Sequence, residues 1–245
     1  MKKDLQNKLL RLNYDLYEKQ AESWDKTRSA IWEKPTLDFI KTIKPNSKIL
    51  DLGCGNGRLY KQISKLIANS QKPIANYLGL DPSKELIKIC KTKYIDPSTS
   101  LRMTPKFIVG DGLDMNFNRQ FDYIFCLGVL HHIPGEELQI KFLKNCYKAL
   151  KKSGILFLHV WNRHQNKYDD KKYVRIAGLE KNDLVIPWKN DKNYVRYVYR
   201  FNAAELKNLA KKAGFKTVNT FYGDKNGPST KLRGLNIYLI AKKYE

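Results

Sequence analysis

Apolar positions recur along this chain in two rhythms, and the place where one gives way to the other organises the molecule. Residues 3–25 carry apolar side chains at helical spacing between charged ones, which predicts an amphipathic helix; a second is predicted over 34–43, entered through Pro35. From Lys48 the pattern changes to short, nearly all-apolar runs separated by helical stretches. KILDL (48–52) leads to a helix near 58–68, and YLGLD (77–81) leads through Pro82-Ser83 to KELIKICKTKY (84–94). KFIVGD (106–111) is a third strand, FDYIFCLGV (121–129) a fourth with a helix over 136–150 behind it, and GILFLHVW (154–161) a fifth. Strands apolar on both faces that alternate with helices predict an α/β domain, its parallel sheet covered on each side. A polar and aromatic stretch follows, then a helix near 203–213 and two strands, FKTVNTFYG and LNIYLIAKK. Asn202 and Glu205 have the spacing of a reciprocal N-cap, so Glu205 is assigned to structure. The expected organisation of the single domain (1–245) is a helical cap (1–44), a core (45–161), an insertion (162–201) and a C-terminal helix with edge strands (202–245).

Composition narrows the function class. The 245 residues are 42% hydrophobic and 12% aromatic, which fits one folded domain and excludes disorder. No run approaches the roughly 18 apolar residues of a membrane span, and the start MKKDLQNKLLRLNYD lacks the apolar centre of a secretory signal; a cytoplasmic protein without a membrane partner is expected. Cys54, Cys90, Cys126 and Cys146 form no C-x-x-C pair, so reduced thiols and no metal site are expected. Lys and Arg number 46 against 24 Asp and Glu, a formal net charge of +22 that would attract a polyanion. Arg and aromatic residues fall together in 161–201, which directs that attraction toward nucleic acid.

The candidate chemistry centres on Leu50-Asp51-Leu52-Gly53-Cys54-Gly55-Asn56-Gly57-Arg58, a strand that runs into a glycine turn. Glycines at alternate positions permit positive φ and are expected to let a flat adenosyl group approach the main chain. The G-x-G-x-G spacing departs from the G-x-G-x-x-G of dinucleotide folds, and Asp51 just upstream would repel phosphate and favour a cation. Ligands of open α/β sheets sit beyond the carboxyl ends of the strands. Asp81, followed by Pro82, would accept both ribose hydroxyls there, and Asp111, followed by Gly112, would meet the exocyclic amine of adenine. Leu127 and Gly128 close strand four beside the glycine turn, immediately before Val129-Leu130-His131-His132.

In DLGCGNGR, LGLDPS, VGDG and FDYIFCLGVLHHI the chain resembles the class I S-adenosylmethionine-dependent methyltransferases, over about residues 35–160 and again in its last two strands. The resemblance implies a Rossmann-like, doubly wound, seven-stranded and mostly parallel sheet with an antiparallel C-terminal edge strand. It implies S-adenosyl-L-methionine as cofactor, its amino-acid part held by Asp51 and the turn Gly53, Cys54, Gly55 and Gly57, its ribose by Asp81 and its base by Asp111. Sulfonium chemistry suits a cleft that favours a cation without pyrophosphate. Tyr17, Trp24, Thr27-Arg28, Trp32, the His131-His132 turn, Val160-Trp161, VIPW (185–188) and RYVYRFNAAEL (196–206) are similar to the tRNA wobble-uridine carboxymethyl methyltransferases. Those enzymes esterify 5-carboxymethyl uridine at the first anticodon position, which implies tRNA as substrate and a small zinc-binding activator subunit as partner. The chain departs from that family at Val198 and Tyr199, where a tyrosine and a histidine are usual, and its insertion is short.

A carboxylate nucleophile is already ionised at neutral pH, so such a reaction needs positioning and exclusion of water more than a base. Arg28 and Arg196 are the candidates to grip the carboxylate or nearby phosphates, with His132, or else His131, as a hydrogen-bond donor in the cleft. Trp188, Tyr194 and Tyr197 lie among Lys189, Lys192, Arg196 and Arg200, a pattern suited to stacking an unpaired base. Lys171-Lys172, Arg175 and the loop Lys225–Arg233 could extend the basic surface. A small-molecule or lipid-precursor methyltransferase, an RNA-binding module without catalysis and a dinucleotide dehydrogenase remain the rival readings. Calorimetry with S-adenosylhomocysteine removes the last.

Overall fold

The computed structural model describes residues 1–28, 32–70, 76–95, 105–165, 173–189 and 191–244, with the side chains of 67–70 left aside. Lys171 and Lys172 lie outside the described residues. Three helices open the chain: α1 (Lys3–Lys19), α2 (Ala21–Lys26) and α3 (Lys34–Lys41). Strands β1 (Lys48–Leu52), β2 (Asn76–Asp81) and β3 (Pro105–Val109) then alternate with α4 (Arg58–Ser70) and α5 (Lys84–Tyr94). β4 (Phe121–Leu127) is followed by a 3-10 turn (Leu130–His132), α6 (Glu136–Ala149) and β5 (Leu150–Trp161). β6 (Asp183–Pro187) and β7 (Val195–Tyr199) form a separate hairpin, after which come α7 (Ala203–Lys212), β8 (Lys216–Asp224), β9 (Gly227–Ser229) and β10 (Asn236–Lys242).

The main sheet has eight strands in the order β3-β2-β1-β4-β5-β10-β8-β9. β3 through β5 run parallel, whereas β10 pairs antiparallel with both β5 and β8. The count exceeds the expected seven because β9, inside the stretch read as a basic loop, pairs with β8 through Tyr222↔Ser229, Gly223↔Pro228 and Asp224↔Gly227. β5 also begins at Leu150, ahead of the Gly154 read from sequence. The predicted 3–25 helix breaks at Gln20, where φ −108° and ψ 19° leave the α region, and the break brings Tyr17 and Trp24 edge to face with ring centroids 6.3 Å apart. Asn202 and Glu205 make the expected capping box.

The all-apolar strands are explained by alternation across a sheet buried on both sides. Leu50, Ile124, Cys126, Leu156 and Leu158 face α6 and α7, while Ile49, Tyr123, Phe125 and Phe157 face the layer of α3 and α4. With β1 to β5 parallel, their carboxyl ends share one edge of the sheet. Across this edge run α1 and the hairpin, joined by Asn13: its amide Nδ2 donates to the carbonyls of His132 (2.9 Å) and Tyr197 (3.2 Å), and its Oδ1 accepts from the Tyr197 N–H (2.9 Å).

Candidate active site

A cavity of about 470 Å³ opens over the carboxyl ends of β1 to β5, roofed by α1 and α2. That volume falls in the range that holds a drug-sized or cofactor-sized ligand. Asp51, Asp81 and Asp111 line it from the ends of the adjacent strands β1, β2 and β3, together with Gly53, Cys54, Gly55, Pro82, Gly112, Leu127 and Gly128. Gly57 does not line it.

Each carboxylate is set by local chemistry. Asp81 Oδ2 accepts the Gly55 N–H (2.9 Å) and Oδ1 the Ser83 N–H (3.0 Å), which ties the glycine turn to the end of β2. Asp51 accepts the Tyr77 hydroxyl at 2.5 Å. Asp111 accepts the Leu113 N–H (2.8 Å) and the hydroxyl of Tyr14, which reaches down from α1. Burial pushes Asp51 up to about 7, against the Tyr77 hydrogen bond, and Asp81 up to about 6, against its two backbone donors. A further donor or a positive charge in the cavity would favour the ionised form of both.

Gly53, Gly55 and Gly57 all have positive φ (73°, 56° and 75°), as the turn requires. The space that their missing side chains leave is filled by the protein and not by room for a flat ligand, contrary to the expectation from sequence. A Cβ on Gly53 would lie 2.3 Å from Val129 Cγ2, on Gly55 2.5 Å from the Trp24 ring, and on Gly57 2.6 Å from the Tyr94 ring. The glycines let Val129, Trp24 and Tyr94 pack against the main chain, and Trp24 then walls the cavity.

The other half of the cavity lies over β4 and β5. His132 Nδ1 sits 2.9 Å from the Tyr197 carbonyl and Nε2 2.9 Å from the Tyr17 hydroxyl. A carbonyl can only accept, so Nδ1 carries the proton; burial and Arg196 push the imidazole down to about 3, which leaves Nε2 bare to accept from Tyr17. His132 is thus an acceptor that orients Tyr17, and the expectation of a donor into the cleft is corrected. His131 is fully buried, 4.2 Å from the His132 ring and 4.5 Å from the Trp161 ring, and burial keeps it neutral.

Arg196, the sequence candidate for gripping a carboxylate, does not itself line this cavity; it packs against Trp161, which does. Its guanidinium lies 4.4 Å from the Trp161 ring centroid and 4.8 Å from that of Trp188. Nε and Nη1 are buried without a hydrogen-bond partner, and no carboxylate pairs with it among the described residues. Trp188 is 3% exposed and meets the Tyr17 ring at 6.1 Å, so it braces Arg196 and is not open for stacking. Tyr197 points the other way: its ring is fully buried, its hydroxyl donates to Asp183 (2.6 Å), and it packs with Leu9 and Val185. Tyr194 belongs to the hairpin turn, where its carbonyl accepts the Trp188 N–H (2.7 Å). Neither tyrosine lines the cavity, which corrects their reading as base-stacking residues.

Arg28 lines the glycine-turn end, 5.8 Å from the Trp24 ring, with its carbonyl accepting from Asn56 (3.3 Å). Burial first, and with it the charges of Arg28 and Arg163, push the Arg196 guanidinium down, so the two arginines lie within electrostatic reach of each other. Tyr14, Arg58 and His159 were not singled out in the sequence, yet all line the cavity. Tyr14 and Tyr17 sit three apart on α1, a shared-face spacing that could have marked Tyr14.

The parallel sheet, the glycine turn after β1 and three carboxylates on successive strand ends define an S-adenosylmethionine-dependent methyltransferase. Residues 24–220 match the model of a family described as "Methyltransferase domain", and the chain belongs to that family. Among curated relatives, it is 29% identical over 164 residues (66% of this chain, 23% of the relative) to the Xenopus tropicalis tRNA (carboxymethyluridine(34)-5-O)-methyltransferase alkbh8. It is 23% identical over 224 residues (82% of this chain, 87% of the relative) to the Schizosaccharomyces pombe tRNA (carboxymethyluridine(34)-5-O)-methyltransferase. The chain spans about a third or less of the length of several curated relatives, 32% of a bovine protein named "Probable tRNA methyltransferase 9B" among them. The fold matches a Methanosarcina mazei SAM-dependent methyltransferase with TM-score 0.67 and 18% identity, covering 84% of this chain and 97% of that one. It also matches a chain of the complex between the Haloferax volcanii Trm112 methyltransferase activator and a methyltransferase, with TM-score 0.65 and 17% identity over 94% and 98% of the two chains.

The donor set fits the cofactor: the end of β1 offers an anion to an ammonium, the end of β2 acceptors to a ribose diol, and the end of β3 an acceptor to an adenine amine. Because Asp51 and Asp81 titrate above the ordinary carboxylate value of 3.8, their protonated forms stabilise the free protein at low pH, and that contribution is lost as pH rises through about 6 to 7. An ammonium beside Asp51 and hydroxyl donors beside Asp81 favour the ionised forms. Binding of S-adenosylhomocysteine is therefore expected to release protons near pH 6.5 and to tighten from pH 5.5 to 7.5. Calorimetry in buffers of different ionisation heat reads this directly, and proton uptake on binding would contradict it.

Proposed function

We propose that this chain methylates tRNA, with the carboxylate of a 5-carboxymethyl uridine at the wobble position as the methyl acceptor. The observation that carries the reading is Arg196, a covered guanidinium held between two tryptophan faces with two nitrogens unpaired and no anion of its own. Such a group costs the free protein stability and is relieved by an anion that accepts from it. The relatives' names support tRNA as substrate, as does the net charge of +22. A tRNA substrate in turn supports a cytoplasmic site of action.

The cap (1–44) and the insertion (162–201) then serve recognition, and the core (45–161) with its C-terminal strands (202–245) serves the cofactor. When bound, S-adenosylmethionine supplies an electrophilic methyl group. Asp51 would hold its ammonium, Arg28 its carboxylate, Asp81 its ribose and Asp111 its adenine. Arg28 thus moves from the acceptor, where sequence put it, to the cofactor, because it stands at the glycine turn. Arg196 would align the acceptor carboxylate, His132 would hold Tyr17 beside it, and Trp161 and α1 would exclude water.

A small activator subunit fits the open edge of the sheet. β3 is an edge strand whose Ile108 and Val109 are 38% and 48% exposed, a template for strand addition by a partner. The test of the main reading is nucleoside mass spectrometry of tRNA bearing 5-carboxymethyl uridine, incubated with the protein, labelled cofactor and activator. A labelled methyl ester on that nucleoside is the expected product. Label on another nucleoside, or transfer to small metabolites only, would replace this reading.

A further inference from the structure

A second group of unsatisfied polar atoms lies in the acceptor half of the cavity, away from Arg196. His159, on β5 opposite Leu127 of β4 and Tyr238 of β10, is 3% exposed and lines the cavity. Neither of its ring nitrogens has a hydrogen-bond partner, and neither has the indole nitrogen of Trp32, whose ring lies 5.7 Å from the imidazole. Arg58 lies over the Trp32 ring, 3.3 Å from its centroid. Buried polar atoms are nearly always paired in folded proteins, so an unpaired set on a cavity wall calls for a ligand.

The strand order says which ligand. Adenine, ribose and amino-acid chemistry are accounted for at β3, β2 and β1, and the next strands along, β4 and β5, flank the acceptor. Burial and the neighbouring Arg58 push His159 down to about 3, so at neutral pH it carries one N–H and one bare nitrogen. Beside it Trp32 can only donate. A donor next to an acceptor matches a carbonyl next to an N–H, which is the imide edge of a uracil ring.

We propose that His159 and Trp32 form a base-reading subsite for the methyl acceptor, with the bare imidazole nitrogen accepting from uracil N3–H and the indole N–H donating to the adjacent carbonyl. This rests on the reading that the acceptor is a modified uridine. Arg196 holds the reactive carboxylate, and the His159 pair holds the ring that bears it, so two separate contacts fix the line of attack. Gly128 turns the chain at the end of β4 with φ 78°, which places it in ordinary contact range of His159, His131 and Trp161.

The experiment uses the full chain with the activator and labelled cofactor, and two anticodon stem-loops with 5-carboxymethyl uridine, one carrying a methyl group on N3 of that base. The wild-type protein should show a KM about tenfold or more lower for the loop with free N3–H, from one lost buried hydrogen bond. His159→Phe keeps the ring volume among Trp32, Phe157 and Tyr238 and should erase the difference, raising KM on the free loop to that of the blocked one. S-adenosylhomocysteine affinity should stay within about twofold, and His159→Gln should recover part of the preference. A preference that persists in His159→Phe, or is absent in the wild type, overturns the subsite. A parallel loss of S-adenosylhomocysteine affinity also overturns it, since it would assign the pair to the cofactor. Absence of methyl transfer by the wild type to either loop instead removes the uridine reading itself, before any variant is compared.

Discussion

Arg196→Lys lowers kcat/KM on tRNA bearing 5-carboxymethyl uridine by about tenfold to a hundredfold, while S-adenosylhomocysteine affinity stays within about twofold. A charge-assisted hydrogen bond is worth about 1.5–3 kcal/mol, and about 1.4 kcal/mol is a factor of ten. Lysine keeps the charge but loses the planar fork, so it can neither lie flat between Trp161 and Trp188 nor give two parallel hydrogen bonds to one carboxylate. Arg196→Met, which keeps length and fills the slot, should lower turnover further. Steady-state kinetics with the melting temperature as a folding control decides the matter. Turnover within about twofold of wild type in the lysine variant would mean that the guanidinium serves only to brace the hairpin.

The second large effect is on the cofactor. Asp81→Ala should weaken S-adenosylhomocysteine binding by at least about tenfold, because two hydroxyl donors of a ribose lose a buried carboxylate. The same change leaves the Gly55 and Ser83 N–H groups without their acceptor, so the glycine turn is loosened as well. Asp81→Asn separates the two contributions: its amide oxygen can still accept one of the backbone donors, so the variant should melt closer to wild type than Asp81→Ala does and still bind poorly. Titration calorimetry reads the affinities. An unchanged affinity in both variants would move the ribose away from the end of β2.

The elements that sequence placed best are those in which one physical constraint dominates. Strands buried on both faces must be apolar throughout, so β1, β2 and β4 are visible as uninterrupted runs, and the polar residue at each carboxyl end stands out against them. Asp51, Asp81 and Asp111 were found in this way, and all three line the cavity. The hairpin was harder because both of its faces are covered. In Val195-Arg196-Tyr197-Val198-Tyr199 the two alternating sets are each rich in large side chains, so sequence cannot say which set meets α1 and which meets Trp161 and Trp188. Tyr197 was accordingly assigned to the ligand when it belongs to Asp183 and Leu9. His159 was invisible for the opposite reason: it is a polar residue inside an apolar run, and only the register with Leu127 and Tyr238 brings it to the end of the sheet. Tyr14 needed the tertiary approach of α1 to Asp111, which no local pattern encodes.

Helix α1 touches every compartment of the site within two turns. Asn13 holds the hairpin and the 3-10 turn, Tyr14 reaches Asp111, Tyr17 reaches His132, and Glu18 accepts the Ser83 hydroxyl (2.7 Å) at the head of α5. One helix thereby ties the ends of β2 and β3 to the hairpin and the imidazole, so loosening α1 disturbs both halves of the cavity at once.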